Sequence, residues 1–106
     1  MAGRFAVTAS LVLSAIPTSA FADAAAGKQK AQMCAVCHGL DGIAKNPDAA
    51  NLAAESTFYL TRQLQAFRSG DRKHEQMSII AQGLSDEDIA DLAAWYSSLK
   101  VTVTMP

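Results

Sequence analysis

Cys34-Ala35-Val36-Cys37-His38 sets two thiols three residues apart and an imidazole directly after the second. On one turn of helix, two such sulfurs reach the two vinyl groups along one edge of a porphyrin and form thioethers. The next residue is then carried under the ring, where its imidazole can bind iron. Cys34, Cys37 and His38 therefore read as the attachment site of one covalent haem c, with His38 as an iron ligand. Other uses of these residues lack support. A structural zinc site needs further ligands, and the chain has no second cysteine pair. A thiol redox pair belongs in a βαβ setting. An ordinary disulfide is open to an exported protein, but between residues three apart it closes only a trivial loop.

A haem iron held from one side needs a second ligand or keeps an open site. Beyond the leader the methionines are Met33, Met77 and Met105. Met33 precedes Cys34 on the attachment segment, which keeps it from the far face, and Met105 stands in the terminal tail. Met77 follows the attachment site with a helical stretch between to bring the chain round. It is the expected distal ligand, completing a His/Met pair of the kind that raises the reduction potential. His74 is the competitor, and a second histidine would lower the potential. Its neighbours Arg72, Lys73, Glu75 and Gln76 are all polar, so it reads as a solvated surface histidine.

The elements that must position these groups are helical. Ala24 to Met33 is rich in good helix formers and runs into Cys34. Gly39 to Ala54, punctuated by Gly42, Asn46, Pro47, Asp48 and Asn51, reads as a long loop wrapped around something. Ser56 or Thr57 caps a second helix through Ser69, with Leu60, Leu64 and Phe67 on one face and Gly70 just past its end. A short helix spans about Met77 to Gln82. Ser85 opens the last helix with Asp88 as a capping-box partner, and Lys100 is expected in its last turn. No strand is predicted. The chain is all-α, four short helices around one haem.

Composition agrees. With 106 residues, half of them apolar, and a net charge of −1, the chain is one small domain, neither a basic nucleic-acid binder nor a disordered polyanion. Arg4, the uncharged apolar stretch Phe5 to Ile16, the break at Pro17 and Ala20-Phe21-Ala22 match a secretory signal peptide removed after Ala22. The apolar stretch is too short to span a bilayer. Residues 23–106 are then the mature single domain, exported to the periplasm, with eight Lys/Arg against ten Asp/Glu and no transmembrane segment. A core this small usually needs a staple, and the haem supplies one.

With these residues placed, the sequence resembles the class I monohaem cytochromes c, and more closely one half of the di-haem cytochrome c4 family and its short single-haem relatives. The resemblance runs from Gly27 to Leu99. It rests on Cys34 to Gly39, Asp41-Gly42, Asn51-Leu52-Ala53, Phe67-Arg68-Ser69-Gly70, Met77, and Leu84 through Ala93 with Trp95-Tyr96. It implies a class I cytochrome c fold in which the first and last helices cross beside the haem, with Gly27 against the Trp95/Tyr96 turn. It also implies that a backbone carbonyl receives the proximal imidazole N–H. Relatives commonly have proline at that acceptor position, and here it is Ala50. Ala54-Glu55 stands where Gly-Gln is usual. Trp95 and Tyr96 are expected to act in packing alone.

The function expected is single-electron transfer, not catalysis: a His/Met iron offers no open site, and the chain shows no nucleophile–base arrangement. Donor and acceptor would be periplasmic redox enzymes, with a monomeric carrier favoured. The second reading is a dedicated haem subunit or specific acceptor of one periplasmic dehydrogenase, for example a sulfite-, sulfide- or alcohol-oxidising enzyme. Arg62, Arg68, Arg72 and Lys73 against Asp86, Glu87, Asp88 and Asp91 suggest a dipolar docking surface.

Overall fold

The computed structural model describes residues 1–15 and 21–106. Residues 1–15 have no regular secondary structure and are exposed. Pro17 and Ala20, on which the cleavage expectation partly rests, lie outside the described residues. Regular structure among the described residues is helical throughout: α1 (Ala24–Lys30), a 3₁₀ turn (Ala31–Met33), α2 (Ala35–His38), α3 (Thr57–Ser69), α4 (Met77–Gln82) and α5 (Asp86–Ser98). No helix there is long and apolar enough to cross a membrane.

The expected first helix is divided at the site. The Cys34 N–H donates to the Ala31 carbonyl at 2.9 Å, a three-residue turn tighter than α winding. Winding then relaxes, and the His38 N–H donates to the Cys34 carbonyl at 2.9 Å. Cys34 and His38 are thus tied one α-turn apart.

Helix ends follow side-chain chemistry. Asp23 caps α1 through Oδ1, accepting from the Ala25 and Ala26 N–H groups at 2.9 and 3.2 Å. Ser56 Oγ accepts from the Tyr59 N–H at 3.1 Å, and Gly70, at φ 90°, ends α3 in the left-handed region. Ser85 and Asp88 form the expected capping box, 3.0 Å each way. One end differs. Helix α5 stops at Ser98, and Leu99 is extended with ψ 137°, so Lys100 stands beyond the last turn. Leu99 packs against the core instead of continuing the helix.

The core joins Ala31, Leu60, Leu84, Ile89, Leu92, Ala93 and Tyr96. Helix α1 lies on α5 with Gly27 at the contact. A Cβ on Gly27 would overlap the Asp91 carbonyl oxygen and stand 2.9 Å from Trp95 Cβ. The contact with Trp95 is the expected one, and it extends one turn back to the Asp91 backbone. Beside this contact Lys30 Nζ bridges Asp91 Oδ2 at 2.7 Å and Asp88 Oδ1 at 3.0 Å.

Some of the charges expected to form a dipolar surface are paired locally, and others are not. Arg68 pairs with Asp86 at 2.6 Å, Lys30 takes Asp88 and Asp91, and Arg62 and Arg72 lie over the Phe58 and Phe67 rings.

Ala54 carries a local cost. It holds φ 63°, left-handed, where its Cβ is penalised by roughly 1–2 kcal/mol. Its N–H donates to the Tyr96 carbonyl at 3.0 Å, which fixes that conformation. Ala54→Gly should remove the penalty and stabilise the fold by about 0.5–1 kcal/mol after the added entropy of the unfolded chain. A denaturant midpoint that rises with the absorption spectrum unchanged would show it; a fall would mean that the Cβ contributes more by packing than it costs.

Candidate haem site

A cleft of about 250 Å³ opens beside the core. Cys34, Cys37 and His38 line it from the attachment segment, and Met77 and Ile80 from α4. Leu52 comes from the loop, Leu60, Leu64 and Phe67 from α3, and Leu92, Ala93 and Tyr96 from α5. The structure thus brings all four sequence-predicted site residues to one cavity. Two thiols, an imidazole and a thioether against aliphatic and aromatic walls suit a flat apolar macrocycle with a central iron. Leu64, only half-buried on the apolar face of α3, borders this space.

The two histidines are in opposite hydrogen-bonding states. His38 Nδ1 is 2.7 Å from the Ala50 carbonyl oxygen. A carbonyl only accepts, so Nδ1 carries the proton and Nε2 keeps its lone pair. His74 Nδ1 lies 3.2 Å from the backbone nitrogens of both Gln76 and Met77. Amide N–H groups only donate, so this Nδ1 is the acceptor, and in the neutral ring the proton sits on Nε2. His74 borders the cleft, but this tautomer has no spare lone pair for a metal. His74 is exposed, as its polar neighbours imply, and its ring also stands edge-on to Phe67, centroids 6.4 Å apart.

The loop around Ala50 is fixed from within. The Gly42 carbonyl accepts from Leu52 and Ala53 N–H groups at 2.8 and 3.1 Å, and Asn51 Oδ1 accepts from Ala44 N–H at 2.7 Å. Gly42 takes φ 73°, and a Cβ there would come within 2.5 Å of the Ala53 nitrogen. These bonds set the Ala50 carbonyl without a proline ring.

Trp95 and Tyr96 do more than pack. The Tyr96 hydroxyl donates to the Gly39 carbonyl at 3.1 Å and Trp95 Nε1–H to the Leu40 carbonyl at 3.0 Å. They tether α5 to the two residues after His38. The sequence held one signal for this, since a buried phenol or indole needs a partner for its polar tip. Burial pushes the Tyr96 hydroxyl well above its ordinary range, which keeps it a neutral donor. Burial also pushes the Cys34 thiol up, the reverse of the lowered thiol that disulfide exchange uses.

Residues 24–100 match the family model described as Cytochrome c. The chain belongs to the cytochrome c family. It is an electron-transfer haem protein rather than an enzyme, and it carries one covalently bound haem c with its iron. The chain is 51% identical to cytochrome c-554(548) of Halomonas halodenitrificans over 79 residues, 72% of this chain and 95% of that protein. The crystal structure of reduced recombinant cytochrome c4 from Pseudomonas stutzeri superposes with a TM-score of 0.70 at 38% identity, over 76% of this chain and 47% of that one. A thiosulfate dehydrogenase electron acceptor of Thiomonas intermedia is 38% identical over 96 residues, 89% of this chain and 44% of that protein. This cytochrome thus spans nearly all of the first relative and less than half of the other two. It matches one relative over nearly its whole length and a cytochrome c4 over about half, as its resemblance implies, and the all-α class I fold is shared with the cytochrome c4 structures.

Proposed function

We propose that this cytochrome is a periplasmic single-electron carrier, exported by removal of residues 1–22, with Cys34 and Cys37 as thioether anchors and His38 and Met77 as axial ligands. The observation that carries the reading is the shared cleft, with a His38 whose Nδ1–H is bound to Ala50 and whose Nε2 is free to ligate.

When bound, the haem supplies a one-electron iron couple. The chain's own residues set the conditions for it. The Ala50 carbonyl orients the His38 ring and raises the basicity of Nε2. The neutral thioether of Met77 favours the reduced metal and so a high potential. Leu52, Leu60, Leu64, Phe67 and Leu92 exclude water, which keeps solvent reorganisation small on electron transfer. With His38 and Met77 both holding the iron, no position would be left for a substrate.

The test is expression with the native leader alongside a c-type maturation system. The expected product is a red periplasmic protein whose mass is that of residues 23–106 plus one haem, with the weak Met–iron charge-transfer band at the red end of the oxidised spectrum. A colourless product, or a reduced form that binds carbon monoxide readily, would overturn the reading.

The second reading is a dedicated acceptor of one periplasmic dehydrogenase, supported by the likeness to a thiosulfate dehydrogenase electron acceptor. Co-purification with a single dehydrogenase, and poor exchange with other donors, would favour it over a general carrier.

A further inference from the structure

We infer that His74 is a positioning residue for Met77: its imidazole is the cap that fixes the turn presenting the thioether to the cleft. This rests on the reading of Met77 as axial ligand. Helix α4 begins at Met77 by winding, yet its hydrogen bonds begin at His74. The Ser78 N–H donates to the His74 carbonyl at 3.0 Å, the first bond of an α-turn. His74 Nδ1 accepts from the second and third residues after it, the pattern of an N-cap side chain. The His74 N–H donates to Ser78 Oγ at 2.9 Å, so the backbone of His74 is itself held by the turn that its ring caps. Serine, threonine, aspartate and asparagine make this cap more often. Histidine adds a ring that packs edge-on to Phe67, which lines the cleft. One residue therefore fixes the Met77 backbone and locks that turn to the α3 wall.

The experiment compares His74→Leu, His74→Asn and Met77→Ala holoproteins with the parent. Imidazole is titrated into the oxidised form, with the Met–iron band and the denaturant midpoint followed in parallel. His74→Leu keeps apolar bulk and loses the acceptor; imidazole should displace the methionine about five- to tenfold more readily, a cap's worth of stabilisation. His74→Asn restores an acceptor and should return most of the affinity difference without the ring. Parent-like imidazole affinity in His74→Leu, or no rescue by asparagine, overturns the inference. A Met–iron band that survives Met77→Ala overturns the underlying ligand reading instead.

We infer, from a separate observation, that signal-peptide removal completes an ion pair at the α1–α5 contact. This rests on cleavage after Ala22. The Asp23 N–H donates to Asp91 Oδ1 at 2.8 Å, and Asp91 is 3% exposed. Cleavage before Asp23 converts that neutral amide into an α-ammonium. The groups facing it are the Asp91 carboxylate, Lys30 on α1, Asp88 on α5 and the Asp23 carboxylate, which caps α1. Lys30 and the Asp23 N–H already hold the Asp91 carboxyl below its usual range. The processed terminus adds a cation on the same oxygen as that N–H.

The test is limited acetylation of the exported holoprotein and of a form with Gly-Ser inserted between Ala22 and Asp23, read by intact and peptide mass. The parent α-amine should react about tenfold more slowly, as for a pKa raised by one unit. Asp91→Asn should remove that protection. Equal reactivity overturns the ion pair. An intact mass showing a different start overturns the cleavage reading.

Discussion

Met77→Ala is expected to abolish the Met–iron band, open the iron to imidazole and carbon monoxide, and lower the reduction potential by more than about 0.1 V, within the roughly 0.8 V that axial ligands control. The size of the effect follows from the lack of a substitute. Met33 also lines the cleft, but it sits beside Cys34 on the attachment segment. Met105 is exposed in the tail and does not line the cleft. His74 is near enough to be considered, and its Nδ1 is committed to the amides of Gln76 and Met77. The fold should survive, because Met77 is not among the buried core residues and the His74 cap uses only its backbone N–H. Absorption spectra and voltammetry of the matured variant read all three effects. An unchanged spectrum and potential would remove Met77 from the iron.

What could be read in the residues divides along a physical line. Local chemistry was legible: Ser56, Gly70 and the Ser85/Asp88 pair announce helix ends through bonds made within a few residues, and each is made. The attachment motif was legible for the same reason, since its spacing is itself the mechanism. Bonds between distant segments were not. Nothing in the neighbours of His74 shows that its ring turns back onto the next turn and against Phe67; polar flanks described an exposed residue and said nothing of its tautomer. The Lys30–Asp91 and Arg68–Asp86 bridges join residues on different elements, and charges counted along the chain do not show which of them meet. Ala50 lies between. The resemblance identified the carbonyl, but only the Gly42 and Asn51 bonds explain why alanine can hold it where proline is usual.

Gly27→Ala tests how much of the fold rests on one backbone contact, and here two effects have opposite signs. In an isolated helix alanine is better than glycine by about 0.8–1.0 kcal/mol, so intrinsic propensity alone predicts a more stable variant. In α1 the added Cβ would overlap the Asp91 carbonyl oxygen and approach the Asp91 carbonyl carbon at 2.6 Å and Trp95 Cβ at 2.9 Å. Two of those atoms are backbone of α5, which cannot rotate away as a side-chain tip would. Relief requires the helices to move apart. That withdraws Asp91 from Lys30 and the Asp23 N–H, and strains the Trp95 and Tyr96 bonds to Leu40 and Gly39 that hold the residues after His38. Overpacking of this kind costs about 1–3 kcal/mol, and more where backbone must shift. A net loss of roughly 3 kcal/mol is expected, a large share of a small domain's stability. It should appear as a lower denaturant midpoint and a poor yield of haem-loaded protein, while the Met–iron band of the folded fraction persists because Met77 lies on another element. A midpoint equal to or above the parent's would mean that α1 and α5 separate at little cost, and that haem attachment, not this helix crossing, holds the domain together.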